Sequence, residues 1–165
     1  MLRKTNLKVE TPSIDIYIEE NILLEISNYQ KRGQFELESG GLIIGYYDAF
    51  KGALKITDIT WPQIEDIRGR HRFIRKEKGH QEIMDRLWEQ SGYKKSYLGE
   101  WHTHNQRRPI PSPMDCNNWK NISKRQHNFN EQFFIIIGTM CSGIWMTKNQ
   151  KIQKIGEWDN DGTIM

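Results

Sequence analysis

The stretch from Leu98 to Asp115, LGEWHTHNQRRPIPSPMD, most constrains what this chain can fold into. Aromatic and apolar residues ahead of a proline-containing loop predict a strand over Tyr97 to His104. Because successive side chains of a strand alternate between its two faces, His102 and His104 point the same way and Thr103 points back. The chain is therefore expected to hold two imidazoles side by side on one face of a sheet.

The segment after this loop predicts the start of a helix. Ser112 fits the N-cap, Pro113 the first helical position and Asp115 the third. A carboxylate in the first helical turn can lie beside the two imidazoles and complete a set of His102, His104 and Asp115. Three nitrogen and oxygen ligands with a fourth position open are typical of catalytic zinc, whereas a structural site is usually closed by a cysteine.

An interpretation without a metal also fits these residues. Ser-Pro-x-Asp is a capping box in its own right, and single histidines are often satisfied core or surface residues. At this chain's frequencies of His, Ser and Asp, however, the whole spaced set arises by chance only on the order of a few times in ten thousand. The joint spacing therefore favours a metal site.

The spacing HTH-x7-S-x2-D resembles the JAMM signature of the MPN metalloproteases, which also carries an upstream glutamate. The segment ESGGLIIG, Glu38 to Gly45, provides Glu38 for that position. Without the resemblance Glu38 would be taken for an exposed loop carboxylate, because glutamate is rarely buried. The resemblance extends from about Ser13 to Trp158. It is greatest to the small bacterial deconjugating peptidases of type II CBASS antiphage operons, which have ETGG-like and GEWHTH segments.

The resemblance implies a role for each of these residues. His102, His104 and Asp115 would bind Zn²⁺, which activates water at neutral pH. Glu38 would act as the general acid and base and not as a metal ligand. Ser112 would donate its hydroxyl to the tetrahedral oxyanion.

The chain departs from the family pattern at one position. Most relatives have proline directly after the second histidine, where this chain has Asn105, so the loop to Ser112 is expected to be less rigid. Glu100 or a backbone carbonyl is a candidate for orienting an imidazole from behind.

The implied substrate is an amide bond after the C-terminal tail of a ubiquitin-like protein or of a conjugated CD-NTase-type nucleotidyltransferase. An extended tail of this kind can add to an exposed sheet edge. Processing of a sulfur-carrier or other ubiquitin-like precursor is an alternative, as is a catalytically silent MPN scaffold. A metal-free module whose basic segment 63–78 contacts nucleic acid leaves the spacing unexplained, so a nucleic-acid partner is not expected.

Apolar periodicity predicts a mixed α/β chain. The predicted helices cover 19–31, ended by Gly33, then 80–90 and 113–126, with Trp88 and Met114 among their inward residues. The predicted strands cover 38–47, 54–61, 97–104, 132–139, 143–147 and 152–158, with a short one at Phe73-Ile74, and the alternation at 13–18 indicates a further short strand or the lead-in to the first helix. The resemblance sharpens this to an MPN-like, cytidine-deaminase-like α/β sandwich whose curved, mostly antiparallel sheet is flanked by helices.

Length and composition bound the rest. A chain of 165 residues is expected to be a single domain, with its core over about 13–158 and a flexible tail at 159–165. Its net charge of +3 is mild, and no apolar run approaches a membrane span. Two cysteines are too few for a disulfide framework, so we expect a cytoplasmic protein. Cys116 is expected to be a bystander of the site.

Overall fold

The computed structural model describes residues 6–31, 37–161 and 165. Three α-helices lie in these ranges: α1 (Glu20–Lys31), α2 (His80–Gln90) and α3 (Pro113–Ser123). The strands are β1 (Leu7–Val9), β2 (Asp15–Ile18), β3 (Gly40–Asp48), β4 (Ala53–Ile59), β5 (Ile67–Gly69), β6 (Arg72–Ile74), β7 (Ser96–Thr103), β8 (Glu131–Ile137), β9 (Cys141–Lys148) and β10 (Lys151–Asp159). None of the helices in these ranges is long and apolar enough to cross a bilayer.

Eight of these strands form one sheet in the order β1-β2-β4-β3-β7-β8-β9-β10. Five of its neighbouring pairs are antiparallel, while β2 with β4 and β7 with β8 are parallel. β5 and β6 form a separate antiparallel ribbon. The prediction of a mixed α/β fold with a mostly antiparallel sheet is confirmed.

The sheet is covered on both faces. Ile22 and Ile26 of α1 pack on one face in a core that includes Trp101 and Phe133. On the other face, Met84 of α2 packs with Leu42 and Ile44. Removing each of these large side chains from water stabilises the fold by roughly 2–3 kcal/mol. The central strands are therefore apolar on both sides, and a polar side chain among them needs a specific partner.

α3 covers the second face through two buried residues, Trp119 and Ile122, which pack against Phe134 and Ile136 of β8 and Trp145 of β9. β8 is buried on both faces, as its continuous apolar run predicts. This packing fixes the helix over the centre of the sheet. Its N-terminus therefore lies beside the end of β7.

A β-bulge in β7 sets which of its side chains share a face. The pairing of β3 with β7 shifts register between Ile43 and Ile44, opposite Gly99 and Tyr97. Leu98 and Trp101 consequently both belong to the core under α1. Because an added Cβ at Gly99 would overlap the backbone of Phe133, only glycine fits at this bulge. The extra residue directs His102 to the face covered by α2 and α3.

Several boundaries differ from prediction. Trp88 is 43% exposed and contacts Tyr93 at a tilted angle, with ring centroids 4.5 Å apart, and Met114 is 61% exposed, so neither is a core residue. Helical periodicity alone does not distinguish the edge of an apolar face from its centre. α3 ends at Ser123, and Asp159 belongs to β10 and not to the chain tail.

Two further predictions concern segments between these elements. Segment 63–78 contains two strands, not one, because Ile67–Gly69 pairs with Arg72–Ile74. The predicted helix end at Gly33 lies outside the described residues, as do positions 162–164 of the predicted tail.

Candidate metal centre

β7 and the residue after it bring the two predicted imidazoles together. The Nε2 atoms of His102 and His104 lie 3.0 Å apart, and the backbone N–H of His104 donates to the carbonyl of Ile137 on β8. Thr103 is buried on the opposite face, where its Oγ1 accepts the backbone N–H of Ser39 at 2.9 Å. The alternation predicted for this strand is therefore present.

The third predicted ligand comes from the first turn of α3. Ser112 is the N-cap: its Oγ accepts the backbone N–H of Asp115 at 3.1 Å, and the Asp115 carboxylate accepts the Ser112 N–H at 2.7 Å. This reciprocal box holds the carboxylate toward β7. Asp115 Oδ1 lies 3.2 Å from His102 Nε2, and Oδ2 lies 3.2 Å from His104 Nε2.

The spacing of these donor atoms fits a small divalent ion. Ligands held tetrahedrally at about 2.0 Å from zinc lie about 3.3 Å from one another, and the separations here are 3.0 to 3.2 Å. Among the described residues, His102, His104 and Asp115 are the group of His, Cys, Asp and Glu side chains close enough to share a metal. Cys116, the next residue, is a free thiol outside this group.

Gln106 supports the orientation of His104, and the sequence did not single it out. Its Oε1 lies 3.3 Å from His104 Nδ1 and accepts the backbone N–H of Ile110 at 3.1 Å. An amide oxygen can only accept a hydrogen bond, so His104 Nδ1 carries the proton. The Nε2 lone pair then faces the triangle formed by the metal-donor atoms of His102, His104 and Asp115, called here the donor triangle. The carboxylate of Glu100, the candidate for this role, instead pairs with Arg75 at 2.8 Å.

Glu38 lies on the neighbouring strand, just before β3. Gly40 pairs with His102 across the two strands, and Thr103 donates its backbone N–H to the Ser39 carbonyl at 2.8 Å. In this antiparallel register Glu38 is opposite His104. Glu38 is only 6% exposed, so it is not the exposed loop carboxylate that its residue type alone suggests.

The glycines after Glu38 allow this close approach. A Cβ at Gly40 would overlap the Trp101 carbonyl and the Phe73 ring, and one at Gly41 would overlap the backbone of Thr60. Substitution at either position would therefore displace a neighbour. The Gly40-Gly41 pair therefore lets the segment that carries Glu38 lie close beside β7, the strand that carries His102.

The charges at the site shift the pKa values of its members. Burial raises the pKa of Glu38 above its ordinary value, and the nearby imidazoles of His104 and His102 offset only part of that rise. Burial also opposes ionisation of Asp115, but hydrogen bonds with His102 and His104 outweigh it and hold the Asp115 pKa well below its usual range. Asp115 is thus an anion, and Glu38 is a carboxyl group suited to exchanging a proton.

The pKa of His104 also reflects the balance between burial and a neighbouring anion. Burial lowers this pKa, but the hydrogen bond and charge of Asp115 exceed that effect and raise the pKa above its ordinary value. In the absence of a cation a proton therefore favours the position between the ring and the carboxylate. A divalent ion would compete with that proton for the same lone pair.

A cleft of about 620 Å³ opens from this centre between β6 and α3. Phe73, Ile74 and Arg75 line one wall, and residues of α3 line the other. Asn117 and Asn121 are one helical turn apart on the α3 wall. His102 and Asp115 also line this cleft, so a chain lying in it would reach the donor triangle.

Known proteins resemble this chain over 42% to 82% of its length. A Vibrio cholerae protein named CD-NTase/cGAS isopeptidase is 28% identical over 136 residues, which make up 82% of this chain and 83% of that protein. An Escherichia coli protein of the same name is 35% identical over 104 residues, 63% of this chain and 65% of the other. A Sinorhizobium fredii protein named probable metalloprotease is 36% identical over 69 residues, 42% of each.

The donor triangle, the buried glutamate beside it and these relatives define the class of the protein, a JAMM-type metallopeptidase with a metal cofactor. The model of the Prok-JAB family, prokaryotic homologues of the JAB domain, matches residues 20–153. The chain belongs to this family. Its fold is similar to the solution structure of a Desulfitobacterium hafniense protein, with a TM-score of 0.57 at 15% identity over 84% of this chain and 88% of that one.

Proposed function

We propose that the protein is a zinc-dependent isopeptidase or peptidase that removes a partner from the C-terminal tail of a ubiquitin-like protein or a CD-NTase-type nucleotidyltransferase. The observation that carries this proposal is the meeting of His102, His104 and Asp115 within hydrogen-bonding distance of one another beside the buried Glu38. Acid and base chemistry at a neutral amide bond needs these components in one place.

Zinc is the proposed metal, because two imidazole nitrogens and one carboxylate with an open position are typical of its catalytic sites. His102, His104 and Asp115 would hold it. When bound, the ion supplies a Lewis acid that lowers the pKa of water from 15.7 to about 7.

The chain's own residues would carry out the proton transfers. Glu38 would accept a proton from the attacking water and pass it to the departing amine, and its raised pKa favours this exchange. Ser112 would donate its hydroxyl to the oxyanion. Its role as an N-cap is compatible with this, because capping uses an oxygen lone pair and leaves the O–H proton available.

The cleft would bind the tail on the acyl side of the scissile bond. Among the described residues β6 pairs with β5 along one edge and its other edge has no partner strand; Phe73 and Ile74 of β6, with Arg75 just after it, line the cleft. An extended tail can pair with such an edge through its backbone, while the asparagine side chains of α3 hydrogen-bond its other side. This arrangement recognises a thin extended chain and excludes a folded one.

The relatives support a CD-NTase-type substrate, since the Vibrio cholerae and Escherichia coli proteins carry CD-NTase/cGAS isopeptidase in their names. We infer the same setting here, antiphage defence of the CBASS type. Free Cys116 and Cys141 fit a reducing cytoplasm. Processing of a sulfur-carrier precursor uses the same chemistry and remains the second candidate, because the cleft recognises an extended tail in either case.

The decisive experiment combines zinc analysis with cleavage of two fusions, one to the C-terminus of a CD-NTase and one to that of a sulfur-carrier protein. The wild type should contain close to one zinc per chain and cleave the CD-NTase fusion only without chelator. Glu38→Gln should keep the zinc and lose cleavage, whereas His104→Ala should lose both. Glu89→Gln, which alters an exposed carboxylate on α2 outside this cleft, is the matched control.

Each result assigns a different cause. Cleavage by Glu38→Gln would remove Glu38 from the mechanism. Zinc retained by His104→Ala would show that the ligand set is wrong. A wild type that binds zinc and cleaves neither fusion would be a silent scaffold, and preference for the sulfur-carrier fusion would establish the second candidate.

A further inference from the structure

The β5–β6 ribbon, residues 67–74, holds both backbone polar groups of Glu38. The Glu38 N–H donates to the carbonyl of Gly69 at 2.8 Å. Arg68 Nε donates to the carbonyl of Glu38 at 3.1 Å. Two consecutive ribbon residues thus fix the peptide units on either side of Glu38. Glu38 lies two residues ahead of β3, so these contacts hold a residue outside that strand.

The same guanidinium reaches two further elements. Arg68 Nη2 donates to Ser39 Oγ at 2.6 Å and lies 3.3 Å from the Tyr29 hydroxyl on α1. Ser39 is fully buried, and Thr103 between the two histidines takes its N–H. Arg68 therefore donates to the carbonyl of the Glu38–Ser39 peptide and to the Ser39 side chain, while the N–H of the same peptide donates to Thr103 of β7.

A second contact ties the ribbon to the residue after His104. Asn105 Nδ2 donates to the Arg70 carbonyl in the ribbon turn at 3.0 Å. A proline at position 105 would lack this donor. The ribbon consequently bridges the buried carboxylate and the second imidazole.

We propose that Arg68 is the positioning residue for Glu38. Asn105 completes this alignment by fixing the ribbon to the end of β7, next to His104. The inference rests on the proposed function of Glu38. Arginine suits the task because its planar guanidinium presents several donors at fixed angles, which a lysine ammonium cannot reproduce. A displacement of about 1 Å in a reacting group is enough to lower a rate on the order of 100-fold.

Arg68→Lys tests this, because it keeps the charge and removes the fork of donors. Turnover should fall 10- to 100-fold with KM and zinc content unchanged, since Arg68 neither lines the cleft nor belongs to the group of proposed metal ligands. The turnover of Arg68→Ala should be lower still, and added guanidinium ion should restore part of it. Arg70→Ala is the matched control: it removes an exposed positive charge from the same ribbon but leaves the backbone carbonyl that accepts from Asn105.

A second measurement does not depend on activity. Amide hydrogen exchange followed by NMR should show the Glu38 and Ser39 amides exchanging at least 10-fold faster in Arg68→Lys, with the amides of Leu42 to Gly45 unchanged. Unchanged exchange, or unchanged turnover, would overturn the proposal. Faster exchange in a protein whose wild type cleaves neither fusion would retain the positioning role and reject the proposed function.

Discussion

At the scale of single residues, Gln106 connects the loop between β7 and α3 to His104, a proposed metal ligand. Its amide oxygen fixes the proton of His104 on Nδ1, so the opposite nitrogen is ready to bind a cation. Gln106→Met is expected to weaken zinc binding about 10- to 100-fold, because the ring can then rotate or exchange tautomers. Competition with a chromogenic chelator measures this affinity, and Gln90→Met, at an exposed position ending α2, is the control. Equal affinity of the two variants would contradict the assignment.

Ser112 is an N-cap and the proposed oxyanion donor, and glycine and alanine can separate these two roles. Replacing a serine N-cap by alanine costs about 1 kcal/mol and by glycine a few tenths. Ser112→Ala should therefore unfold more easily than Ser112→Gly in urea. Both lose the hydroxyl, so both should lose turnover on the order of 100-fold if it stabilises the oxyanion. If Ser112→Gly turned over like the wild type, the serine would be a cap alone.

At the scale of elements, the bulge of β7 determines that His102 lies on the sheet face covered by α2 and α3. A methyl group at Gly99 would meet the Phe133 backbone, which cannot move without breaking the parallel pairing with β8. Gly99→Ala is expected to lower the free energy of unfolding by about 3 kcal/mol. Gly69→Ala is the control, since its nearest neighbour would be at ordinary contact distance, 3.7 Å. Urea denaturation compares them, and equal midpoints would contradict the steric explanation.

A charged cluster joins β10 to the loop between β7 and α3, because Glu157 pairs with Arg108 of that loop and with Lys154. Hydrogen bonds from Arg108 and Lys154 lower the pKa of Glu157 to about 2. A carboxyl whose pKa is lowered by folding stabilises the protein above its unfolded pKa, near 4.5, and this contribution is lost as pH falls toward 2. Glu157→Gln should thus be less stable than the wild type by about 1 kcal/mol at pH 6, given the exposure of Arg108.

The difference between wild type and Glu157→Gln should shrink steadily below pH 4.5 and vanish only below pH 2. Urea midpoints measured across this range provide the test. A difference that does not depend on pH would mean that the lost stability comes from packing and not from charge.

At the scale of the whole molecule, local patterns predicted most elements and the donor set but not the contacts between distant segments. Alternation in β7 and capping at Ser112 are encoded within a few residues, and the two-residue turn at Asn149 and Gln150, both with positive φ, lies between the paired strands β9 and β10. Gln106, Arg68 and the burial of Glu38 depend on which strands become neighbours. Nothing local to Arg68 distinguishes it from the exposed Arg70 two residues later.

The fold also predicts how metal binding affects global stability. The proposed ligands come from the end of β7 and the start of α3, two elements joined by a loop but packed on a common core through Trp119. Because the unfolded chain does not hold these donors together, a metal that binds the native state stabilises it by RT ln(1 + [L]/Kd), about 4 kcal/mol at a free concentration of 1,000 Kd. Chelation should therefore lower the Tm of the wild type and of Glu38→Gln by similar amounts and leave that of His104→Ala unchanged. Calorimetry with and without chelator measures all three, and a chelator-induced decrease in His104→Ala as large as in the wild type would place the stabilising metal elsewhere.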